Sequence, residues 1–107
     1  MSTRRKKIES MLANEPGDIF LRYCLALELD KEGDRAASLS RLDELTRESP
    51  PYVPAFFMAG QQLVRLGRID EARTVLRDGI EAARTAGDSH AAGEMGEFLT
   101  ALGTHGK

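Results

Sequence analysis

The chain has 107 residues, 41% hydrophobic and 30% charged, with a formal net charge of −2 at neutral pH. That length allows one domain with no room for a second core, and the composition is that of a folded soluble protein rather than a disordered one. The near-balanced charge gives no general case for nucleic acid or a strongly acidic substrate. The single cysteine, Cys24, excludes an internal disulfide.

A lone cysteine suits a reducing compartment. Met1-Ser2-Thr3-Arg4-Arg5-Lys6-Lys7 has the charge of a signal-peptide n-region, but Ile8-Glu9-Ser10-Met11 stands where the apolar h-region belongs. No window approaches the ~18–20 apolar residues of a spanning helix. The expected location is the cytoplasm.

In chain order, Thr3 to Asn14 reads as a short helix with Ile8, Met11, Leu12 and Ala13 on one side. Pro16 biases Glu15 away from helical geometry and Gly17 frees the turn. Asp18 is a cap for a helix from about Ile19 to Glu32, stopped by Gly33. This helix has two apolar stripes, Phe20-Tyr23-Leu27 and Leu21-Leu25-Leu29, so it needs partners on two sides. Asp34 to Glu48 is its companion, with Leu39, Leu42 and Leu45 inward. Ser49-Pro50-Pro51 closes the unit.

Pro54 fits the first turn of the next helix, where its missing amide costs nothing. That helix ends near Leu66-Gly67, and its companion runs from Ile69 to about Ala86. After Gly87, Asp88 or Ser89 caps a last helix over His90 to Leu102, with Met95, Phe98 and Leu99 apolar. No run alternates long enough for a sheet.

A step of 34 residues carries Leu63 back to Leu29, Gly67 to Gly33 and Leu76 to Leu42. Phe56-x-x-Ala59-Gly60-x-x-Leu63, then Ala72-x-x-x-Leu76, resembles the tetratricopeptide repeat, a pair of antiparallel helices. Leu63 stands where tyrosine is usual, Arg84 where the closing proline would be, and Arg22 replaces the aromatic of the first unit. The same step aligns Ile8 with Leu42 and Leu76, so the first helix resembles the second half of a repeat. At the far end strict addition makes Glu97 an inner residue, so the register slips there, as a longer preceding helix would cause.

The resemblance implies an all-α fold of antiparallel helix-turn-helix repeats in a short right-handed superhelix of about five helices. It implies one domain over 1–107: a partial repeat at 3–14, repeats at 18–51 and 53–86, and a capping helix at 89–102. By the same resemblance, first helices line a concave groove for a peptide or partner helix. The groove columns fall on Tyr23, Leu27, Asp30 and Lys31, and on Phe57, Gln61, Val64 and Arg65. The family's carboxylate clamp needs a lysine and an asparagine where Tyr23 and Leu27 stand, so a more apolar ligand such as an amphipathic helix is expected. The implied function is that of an adaptor or scaffold, with a homodimer through the same apolar face as the alternative.

Other signals are weaker. Arg4-Arg5-Lys6-Lys7 reads as a solvated helix end, opposed to the helix dipole and prone to fray. His90 and Glu94 share a helix face but lack a third metal ligand nearby in sequence, and Cys24 reads as a small buried hydrophobe. Gly103-Thr104-His105-Gly106-Lys107 lacks the spacing of a phosphate loop. No enzyme activity, cofactor, metal, nucleic acid or membrane is expected.

Overall fold

Three aspartates start helices and three glycines end them. Asp18, Asp34 and Asp88 each accept a hydrogen bond from the backbone amide three residues on, at 2.9, 3.2 and 3.0 Å. This satisfies an amide that the first turn would otherwise leave unpaired. At the other ends, Gly33 and Gly67 take φ of 88° and 77°, as Gly87 does. The following amides, of Asp34, Arg68 and Asp88, reach back to the carbonyls of Leu29, Leu63 and Ala83. A side chain is strained at such φ, so glycine closes the helix and turns the chain at once.

The result is a computed structural model in which residues 3–103 are described; Met1, Ser2 and 104–107, including most of the phosphate-loop-like tail, lie outside them. Among the described residues there are six helices, close to the about five expected: α1 (Thr3–Asn14), α2 (Ile19–Lys31), α3 (Arg35–Thr46), α4 (Val53–Arg65), α5 (Ile69–Thr85) and α6 (Ser89–Leu102). No strand occurs among them. They form two compact units, one ending at Tyr52 and the other beginning at Val53.

In the first unit α2 packs against α1 on one side and α3 on the other. Ile8, Leu25 and Leu29 form a buried cluster, with Leu12, Cys24 and Ala37 against it. Leu42 and Leu45 are fully buried on α3, each contributing roughly 1.5–3 kcal/mol of hydrophobic stabilisation. Ser38 is also fully buried, and its hydroxyl donates to the Ala26 carbonyl at 2.6 Å. The small side chain of Ser38 therefore serves the contact between α2 and α3.

Ion pairs correct one sequence expectation in this unit and account for a second position. Arg4 and Arg5 are not simply a solvated end: Arg4 Nε lies 2.8 Å from Glu28 and Arg5 Nη1 2.7 Å from Glu32, so consecutive arginines of α1 grip α2 one turn apart. Glu28 is itself buried, which a carboxylate tolerates only with such a partner. Arg22, standing in the aromatic column, reaches Glu48 at 3.1 Å and Glu44 at 3.8 Å. That corner is closed by charge where an aromatic ring would close it by packing.

In the second unit α5 packs against both α4 and α6. Leu76, Met95, Ala72 and Ala83 are fully buried. Close approach depends on two glycines. A Cβ at Gly60 would lie 2.7 Å from Leu76 Cδ2, and one at Gly79 would lie 2.5 Å from Phe56 Cβ and 2.6 Å from Met95 Sδ. With 17 residues against 12 in α3, α5 is the longer companion, and Met95 rather than Glu97 becomes the inner residue of α6.

Candidate functional site

On α2, Tyr23, Leu27, Asp30 and Lys31 follow one another at helical spacing and share a face. Tyr23 and Leu27 are half-buried and Lys31 is exposed. The Tyr23 ring meets Tyr52 edge to face, with centroids 5.3 Å apart at 63°. Burial raises the Tyr23 phenol above its ordinary pKa, with smaller contributions from Tyr52 and Cys24. Asp30 has Arg35 at 3.8 Å and Lys31 has Glu28 at 3.9 Å, so the polar end of this face is tethered by charge.

The sequence reading left one residue of this face out of the binding set. Phe20 is 62% exposed, more than any other large hydrophobic among the described residues. It lies three residues before Tyr23 and seven before Leu27, so the stripe already visible in the sequence was the signal for including it.

On α4, Phe57, Gln61, Val64 and Arg65 occupy the matching positions. Phe57, Gln61 and Val64 are half-buried, while Arg65 is exposed. Phe98 of α6 covers part of Phe57: the rings stand edge to face at 5.6 Å and 70°. Each of the two aromatic columns therefore already has an aromatic neighbour within its own unit.

Other candidate residues are simpler. His90 Nε2 lies 3.6 Å from Glu94, and both side chains are exposed. Cys24 is half-buried against the Ile8–Leu25–Leu29 cluster. Among the described residues no three His, Cys, Asp or Glu side chains gather as metal ligands. No helix among them is long and apolar enough to cross a membrane.

Capped two-helix hairpins, small residues at the helix contacts and a partly apolar face on each first helix define a helical-repeat protein. No family model matches the sequence. A solution structure of a tetratricopeptide repeat domain protein from Salinibacter ruber is 33% identical, covers 86% of this chain and 94% of that one, and superposes with a TM-score of 0.79. A protein of Bordetella parapertussis, 27% identical, covers 96% of this chain and 90% of its own with a TM-score of 0.80. A TPR repeat-containing protein of Pseudomonas aeruginosa is 28% identical over 95 residues, 89% of this chain and 90% of that protein. The chain belongs to the tetratricopeptide repeat family.

Proposed function

We propose that the chain is a protein–protein interaction module that holds a peptide or amphipathic helix of a partner on the first-helix faces of its hairpins. The observation that carries this reading is the exposed Phe20 heading the Tyr23–Leu27 stripe on α2. An aromatic left in water, beside a half-buried tyrosine and a leucine, is the kind of anchor that gains most from being covered. Leu27, Asp30 and Lys31 continue the surface on α2, and Phe57, Gln61, Val64 and Arg65 supply the corresponding one on α4. In this reading 18–51 and 53–86 act as repeats of one domain, 3–14 is a partial repeat and 89–102 caps it. The role is non-catalytic, cofactor-free and cytoplasmic.

The same exposed stripe supports a second reading, a homodimer that covers Phe20 with its own copy. One experiment separates the two. Wild type, Phe20→Ser and the Tyr23→Ala/Phe57→Ala pair are used as baits in a native lysate, with folding checked by circular dichroism. A partner kept by wild type and lost by the folded variants supports the module. Recovery of the chain alone, again lost with Phe20→Ser, supports the homodimer. Binding unchanged in every variant refutes both.

A further inference from the structure

The eighth residue of each first-type helix is small: Ala26 in α2, Gly60 in α4 and Gly96 in α6. In α2 and α4 a companion helix comes up against it. Ser38 of α3 bonds the Ala26 carbonyl at 2.6 Å, and Leu76 of α5 fills the space a Gly60 Cβ would need. In α6 no companion does so among the described residues. A Cβ at Gly96, or at Gly93 beside it, would meet nothing within 4 Å. Glycine inside a helix costs stability relative to alanine, and nothing within this unit requires it at either position. The same side of α6 walls an open cavity of about 540 Å³ lined by Arg84, Gly87, Ser89, Ala92, Gly93 and Gly96.

α1 is the complementary case. Ile8 stands in the column of Leu42 and Leu76, so α1 has the pattern of a companion helix. It packs on α2, the helix that follows it. No first-type helix precedes it among the described residues. Its Met11 is 43% exposed, and Lys6 and Lys7 are exposed as well.

We propose that α1 of a second copy seats on the Ala92–Gly96 face of α6, joining copies head to tail. The chain's own hairpin gives the register. The register of Leu76 against Gly60, transferred to α1 and α6, sets the exposed Met11 opposite Gly93 and Lys7 opposite Glu97, while Ile8, 5% exposed, stays in the cluster of its own chain. Large side chains of α1 meet small ones of α6. Charge also matches: α6 carries Glu94 and Glu97 with no lysine or arginine, while α1 keeps Lys6 and Lys7 exposed with Arg4 and Arg5 engaged by Glu28 and Glu32. Arg4, 34 residues before Ser38, is held toward α2 by Glu28. These two matches favour a second copy over a helix of another protein. The interface joins unlike surfaces, so it is distinct from the homodimer through α2.

Sedimentation velocity of the full chain from micromolar to millimolar concentration tests this. The expected result is a mass above one chain that grows with concentration. Gly96→Leu, whose Cβ has no atom within 4 Å to displace, abolishes association while circular dichroism stays helical. Lys7→Glu and Glu97→Lys each weaken it about tenfold or more, and the double variant restores it. A wild type that stays monomeric throughout overturns the proposal and leaves the α6 face to a different protein. So does association that survives Gly96→Leu, or that disappears instead with Phe20→Ser, which assigns it to the α2 face.

Discussion

Phe98 of α6 stands edge to face on Phe57 of α4, ring centroids 5.6 Å apart. The last helix thus covers part of the half-buried aromatic ring on α4. Such a ring pair is worth roughly 0.5–1.5 kcal/mol beyond the area it buries. A double-mutant cycle with Phe57→Leu and Phe98→Leu in urea denaturation is expected to return a coupling of about that size. Additive losses would show that the rings act only as separate apolar area.

Glycines on neighbouring helices respond oppositely to one methyl group. At Gly79 a Cβ would sit 2.5 Å from Phe56 Cβ, so Gly79→Ala forces helices apart. Overpacking costs about 1–3 kcal/mol, more than the ~1 kcal/mol gained from helix propensity. At Gly96 a Cβ meets nothing, and the propensity gain stands alone. Thermal melts are expected to show a lower Tm for Gly79→Ala and a Tm raised by about 4–8 °C for Gly96→Ala.

Glu28 is buried against Arg4 at 2.8 Å, with Lys31 farther off at 3.9 Å. Arg4→Ala leaves a desolvated carboxylate with its weaker partner only. The guanidinium is 70% exposed, so solvent screening holds the expected loss to about 1–2 kcal/mol. Hydrogen exchange is expected to quicken at the amides of α1 before those of α3. Equal acceleration in both helices would mean that α1 does not open separately.

Both tyrosine phenols are raised above their ordinary pKa, chiefly by burial. The neutral forms are therefore favoured by folding. Their stabilisation is full below the unfolded value near 10 and is lost as pH rises through the folded values. With two tyrosines and no tryptophan, phenolate absorbance reads them directly. Ionisation is expected above that of free tyrosine and in step with loss of helix; Tyr23→Phe is expected to soften the alkaline fall in stability.

Local features carried most of the fold. The aspartate caps, the glycine turns and the leucine and alanine columns each act within one or two turns of helix, so the sequence displays them directly. The shift that makes Met95 an inner residue of α6 was legible too, because it follows from the greater length of α5. The candidate face was less legible. Helical spacing put Tyr23 with Leu27 and Phe57 with Gln61, but spacing says nothing about what stands opposite.

What the sequence determined by itself was therefore the set of helices, their ends and the face each one buries, since propensity, capping and periodicity are short-range. Tertiary structure alone decided which exposed-looking groups find partners. Arg4 and Arg5 became grips on Glu28 and Glu32, Arg22 replaced an aromatic contact with two carboxylates, and Phe57 acquired Phe98. Phe20 acquired no cover and stayed in water. Each of these outcomes depends on a side chain from another helix or a neighbouring loop, and only packing brings those side chains within a few ångströms.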